Sequence, residues 1–170
     1  MHVGSLQAIS DAVPLREIVL GELWRGHRGF YAAAPDETLC VNDLIVNNGR
    51  VHIAQRMTGD DTISSKMNYM SVGTVSTAAG LTDTTLTGEV KRKALAVYSA
   101  TTNNVITAVA TFGGAADSVS SLQMTEAGLF NHASSGQGTM MQRVTFAAVT
   151  LADSDLFKIT LQTNVGSNTI

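Results

Sequence analysis

Apolar and polar positions alternate through much of the second half of the chain. Ile106, Ala108, Ala110 and Phe112 fall on one face of a run whose other face carries Val105, Thr107, Val109 and Thr111. A period of two predicts a half-buried strand. Phe157, Ile159 and Leu161, set against Lys158, Thr160 and Gln162, predict another. Met140, Val144, Phe146 and Ala148, opposite Arg143 and Thr145, predict a third. Lys93 to Ser99 also alternates, and Asn103-Asn104 is the expected turn joining it to the 105–112 run as a hairpin. Met67 to Val72 is a short apolar run stopped by Gly73. Thr74 to Gly88 then reads as a long small-residue loop anchored by Leu81 and Leu86. Asp153-Ser154-Asp155 makes a turn. Short strands rich in β-branched residues, with frequent turns, predict a mainly β fold, an antiparallel β-sandwich or barrel.

Two stretches break this texture. Ile18, Leu20 and Trp24 alternate with Val19, Gly21 and Leu23. Arg25 to Gly29 is a glycine-broken loop, and Phe30 to Ala34 is a second short strand. Residues 1–40 are therefore expected to form an extended N-terminal arm or hairpin beside a β body at 41–170; the alternative is that the segment is simply the first strand of the domain. Ile18, Leu20, Leu23 and Trp24 would be the arm's apolar contacts with a partner. Leu44 to Met57 supports two readings. Asn48-Gly49 suits a hairpin turn; alternatively Asn47 or Asn48 caps one short helix with Val51, Ala54 and Met57 along one side.

At 170 residues the chain has room for one domain, and 44% apolar residues suffice for a core. Only 15% of residues are charged, against roughly 25% in ordinary soluble domains. From Ala94 to Ile170 there are only Asp117, Glu126, Asp153, Asp155, Arg143 and Lys158. Such a surface is poorly protected against association, which points to an oligomer or an assembly.

The net charge of −3 argues against a nucleic-acid partner. Lys91-Arg92-Lys93 reads as a solvated turn or strand start. No apolar run reaches the length of a membrane span, so no membrane partner is expected. Without a charged, apolar leader at residue 1, synthesis in a cytoplasm is expected. Cys40, between Leu39 and Val41, reads as a buried thiol.

The candidate chemistry is sparse. His2, His27, His52 and His132 show no metal-ligand spacing. Ser134 to Gly138 does not form a nucleophile elbow. No catalytic residue, cofactor or metal is expected, and the protein reads as non-enzymatic. Glu126 stands out inside the uncharged stretch Met124 to Phe130, where a carboxylate needs a partner. Downstream of it only Arg143 and Lys158 are basic, and the planar fork of Arg143 suits a carboxylate better. Glu126 and Arg143 are thus expected to form a structural ion pair that fixes strand register.

Three segments together resemble a domain recurring in virion proteins of tailed bacteriophages. They are Asn42 to Arg50 running into Ile53 to Met57; Met70 to Thr74 with Asp83 to Leu86, Glu89 and Arg92; and Thr125 to Asn131 with Gly138 and Arg143 to Phe146. The resemblance covers about Val41 to Leu161. It implies that the first segment opens a short helix, and that a strand pair carries Glu126 and Arg143. It also implies a virion structural protein assembled in the host cytoplasm, most simply a capsid cement or decoration protein. The partners would be the major capsid protein or other virion proteins, and further copies of itself, as in a homotrimer. The alternative it implies is a tail, neck or fibre component.

Overall fold

The computed structural model describes residues 16–26, 34–59, 66–100 and 105–164, with side chains from residue 20 onward. Among these residues ten strands form two antiparallel five-stranded sheets. Sheet A runs, in spatial order, β2 (Glu37–Asn42), β1 (Arg16–Trp24), β10 (Leu156–Asn164), β7 (Val105–Gly113) and β6 (Val97–Ala100). Sheet B runs β3 (Leu44–Ile45), β9 (Met140–Thr150), β8 (Gln123–Phe130), β4 (Tyr69–Gly73) and β5 (Glu89–Ala94). Each sheet keeps two edges, so the fold is a sandwich and not a closed barrel.

The alternation seen in the sequence accounts for the core. Sheet A contributes Ala108, Ala110, Phe112, Phe157, Ile159 and Leu161, all essentially inaccessible to solvent. Sheet B contributes Met70, Val72, Ala127, Leu129, Val144 and Phe146. Phe146 and Phe157 meet edge to face across the two sheets, with ring centroids 5.9 Å apart. A second, smaller cluster of Val46, Leu86, Phe130 and Met140 lies on the far side of sheet B, beneath the 74–88 loop.

The helix reading of 47–58 is the one the chain adopts, as α1 (Asn47–Thr58). Neither asparagine caps it. Val46 precedes it in extended conformation, and the Asn47 N–H donates to the Leu81 carbonyl, 2.8 Å away, in the 74–88 loop. Gly49 is where the helix meets β9. A Cβ there would collide with the Met141 carbonyl, so only glycine permits this approach. Gly59, at φ 68°, ends the helix in the left-handed region. A second helix, α2 (Gly114–Asp117), spans a single turn.

Several expectations are corrected. Of the arm and hairpin readings, residues 16–24 and 37–42 adopt the hairpin, β1 with β2, but not as an appendage to the body, because β1 also pairs with β10 over its whole length. Leu23 and Trp24 are buried, so neither is available to a partner. Leu20 is partly exposed, and the Ile18 side chain, like the expected strand at 30–34, lies outside or partly outside the described residues. A strand with a polar residue at Glu22 and glycines after it looked peripheral. It is interior because β2 covers its far edge.

The Lys93 to Ser99 run is not one strand. It breaks at Leu95–Ala96, where the chain leaves β5 in sheet B and enters β6 in sheet A. Alternation persists through such a crossing, so the pattern alone cannot show it. The Asn103-Asn104 turn lies outside the described residues. Cys40 is exposed, because it sits opposite Leu20 on the outer face of an edge strand.

Candidate functional site

The outer face of sheet B carries an array of charge laid out by strand register. Arg92, Ser71, Gly128 and Arg143 are successive partners across β5, β4, β8 and β9. In the next row stand Glu89, Gly73, Glu126 and Thr145. Each arginine reaches a glutamate of the neighbouring row, and the small residues Gly73, Ser71 and Gly128 leave room for the side chains between them.

Glu126 and Arg143 therefore meet, at 2.9 Å from Nε and 2.8 Å from an η nitrogen to the same Oε2. Glu126 is wholly buried and Arg143 nearly so. The remaining donors of Arg143 go to Asp83 Oδ2 at 2.6 Å and to the carbonyls of Thr77 and Ala78. The other Glu126 oxygen accepts from the Gly88 N–H at 3.1 Å. One ion pair thus pins both the middle and the end of the 74–88 loop. Burial pushes the Asp83 carboxyl up, but the Gly80 N–H and the Arg143 guanidinium outweigh it and hold Asp83 below its ordinary value.

Arg92 makes the second clamp. Its Nε donates to Glu89 at 2.7 Å and Ser71 at 2.8 Å, and an η nitrogen reaches the other Glu89 oxygen at 2.9 Å. The second η nitrogen donates to the carbonyls of His132 and Gln137, in the loop between β8 and β9. The guanidinium stacks on Phe130, 3.7 Å from the ring centroid. Burial raises the Glu89 carboxyl, while hydrogen bonds from Arg92, Ser71 and Ser135 bring it below its ordinary value.

The lysines flanking Arg92 point the opposite way, as strand alternation requires. Lys93 bridges the sheets, reaching Asp117 at 2.7 Å and the Thr111 carbonyl at 2.8 Å, and Lys91 approaches the same carboxylate at 3.6 Å. Of the two readings of the 91–93 run, turn or strand start, the chain takes the strand, within β5. All three side chains are engaged, on two faces of one strand.

Where the chain crosses from β2 to β3, Asp43 accepts from the Leu44 N–H and, at 2.5 Å, from Gln142 Nε2. Gln142 is fully buried and accepts in turn from Thr163 on β10 at 3.1 Å. This chain of contacts ties sheet A to sheet B. Burial pushes the Asp43 carboxyl up to about 6, against the lowering effect of its two donors.

One apolar groove of about 790 Å³ opens between α1 and the β6–β7 edge of the sandwich. Met67 and Met141 lie at its base, Ile53, Tyr98 and Ile106 line it, and Arg56 and Lys66 stand exposed beside it. His52 also borders it. Burial and the Arg56 charge lower the imidazole's basicity.

Of the residues singled out in the sequence, the structure joins Glu126 with Arg143, places Leu23 in the core, and buries Trp24 on the outer face of sheet A, with the Lys158 ammonium 5.3 Å from its ring centroid. Sequence reasoning named Asp83, Glu89 and Arg92 among the residues of the resemblance but missed that Asp83 joins Arg143 and Glu89 joins Arg92, and it missed the Lys93–Asp117 bridge. Their signal was the small-residue columns at Gly73 and Gly128, which make room for charge only once register is known. Among the described residues no cluster of His, Cys, Asp or Glu is placed to hold a metal ion. None of their helices is long and apolar enough to cross a membrane. No family model, no curated protein and no solved structure matches the chain.

Proposed function

We propose that this is a non-enzymatic structural protein of a tailed-phage virion, a capsid cement or decoration protein that binds and stabilises the shell. The observation that carries the reading is how the arginines are used. A guanidinium has five N–H donors, and every one on Arg143 is spent on Glu126, Asp83 and two loop carbonyls. Arg92 is committed in the same way to Glu89, Ser71 and the 131–139 loop. Buried charge used to immobilise loops on a sheet makes a rigid block. A rigid block with a charge-poor surface suits repeated contact with the major capsid protein and with its own copies, including a homotrimer. Many modest contacts then add up over a closed shell.

Quantifying the protein in purified particles tests this. A copy number comparable to the major capsid protein, together with rebinding of the purified protein to shells stripped of it, is expected. A few copies per particle would move it to the tail, neck or fibre. Absence from particles would remove the virion reading altogether.

A further inference from the structure

We propose that copies of this chain join head to tail through sheet A, the β6 edge of one against the β2 edge of the next. The sheets differ in how their edges are protected. Exposed strand edges recruit other strands unless they are short, bulged or charged. Sheet B meets that requirement on both sides. β3 has two residues, and β5 carries Lys91, Arg92 and Lys93 with a register shift beside Gly73. Sheet A does not. β6 reads Val97-Tyr98-Ser99-Ala100, without charge or proline, and all four residues are exposed. β2 is six residues long with Glu37 its only charge.

The two edges also fit each other. Four successive antiparallel pairings separate β2 from β6, so the two strands run in the same direction. A ring whose axis lies along the strands therefore brings them together as a parallel pair. Tyr98 shares its face with the buried Ala108, its partner on β7. Leu39 and Val41 face the core from β2. Setting Leu39 beside Tyr98 and Val41 beside Ala100 extends the apolar inner face across the mouth of the groove. Glu37 follows the same alternation; its carboxylate pairs with Arg25 of its own chain at 3.1 Å and stays 65% exposed. It would then approach the end of β6 where the Leu95 N–H bonds the Asn68 carbonyl, two residues from Lys66. Such a contact joins two different surfaces and closes into a ring where the rotation permits. It stands whether or not the protein belongs to a virion, so either reading can fail alone.

The test uses the full chain. Light scattering coupled to gel filtration is expected to show a multimer. The double variant Val97→Lys, Ser99→Lys is expected to be monomeric with an unchanged circular dichroism spectrum. Outward-facing Cys40 offers a second readout. In the Ser99→Cys variant, oxidation is expected to give a disulfide between copies, which Cys40→Ser abolishes. A monomeric wild type, or a multimer insensitive to the two lysines, overturns the proposal. So does a crosslink that survives Cys40→Ser, because it would mean β6 pairs with β6 about a two-fold axis.

Discussion

Gly73 and Glu126 are register partners on β4 and β8, and the Glu126 carboxylate occupies the space where a Gly73 side chain would stand. The glycine is thus part of the ion-pair site although it carries no functional group. The same Cβ would also press on the Gly88 carbonyl at 2.8 Å. Gly73→Ala is expected to cost about 2 kcal/mol through overpacking, read as a lower urea midpoint with an unchanged slope. An unchanged midpoint would mean that sheet B yields at this point.

Removing one member of the buried pair leaves the other without a partner. Arg143→Met is expected to destabilise by about 3 kcal/mol. Combining it with Glu126→Gln should recover part of that loss, because no uncompensated charge is left. A double-mutant cycle measures the coupling. The same arginine holds the carbonyls of Thr77 and Ala78, so Arg143→Met should also speed limited proteolysis within the 74–88 loop. A loop cut no faster than in the wild type would show that Leu86 and Gly88 suffice to hold it.

Stability should peak on the acid side of neutrality. Asp43 is raised on folding to about 6, so its contribution is full below the unfolded value, about 4, and is lost as pH rises through about 6. Glu89, Asp83, Asp117 and Asp155 are lowered on folding. Their contribution is present above about 4 and is lost as pH falls. The two trends cross near pH 4. Asp43→Asn should flatten the decline towards neutrality, a span of about 3 kcal/mol in the wild type. Denaturant midpoints across the acid range, compared by slope, check this. Identical slopes in the two proteins would remove Asp43 as the cause.

Deleting residues 1–35 should abolish folding, because it takes β1 from between β10 and β2. Leu23 leaves the core with it, and two strands lose their hydrogen-bonded neighbour. An insoluble product, or one without a β spectrum, is expected. A soluble truncate with the wild-type spectrum would show that β10 can close against β2 directly.

Much of the fold was legible from alternation alone. Phe157, Ile159 and Leu161 are buried as their spacing requires, and so are Ala108, Ala110 and Phe112. Glu126 announced its need for a partner by standing alone in an uncharged stretch. Strand order was not legible, because pairing is non-local. Nothing in residues 16–24 reports that β2 and β10 will flank them. Nor can alternation tell which sheet a strand joins, which is why the crossing at Leu95–Ala96 was hidden. The second clamp was hidden for another reason. Glu89 and Arg92 lie on one face of β5 only because the register shifts between Val72 and Gly73.

Arg16 and Asn164 are register partners, so the first and last strands of the sandwich lie side by side with their outer ends together. Hydrogen bonds of an antiparallel pair run perpendicular to the strands. Tension applied between those two ends would pull along these bonds and break them rung by rung, like a zip. Tension applied at Arg16 and at the opposite end of β10, Leu156, would instead load all the rungs in shear. Mechanical toughness in this molecule is therefore a matter of where it is gripped, and Arg16 with Asn164 are weaker handles than Arg16 with Leu156.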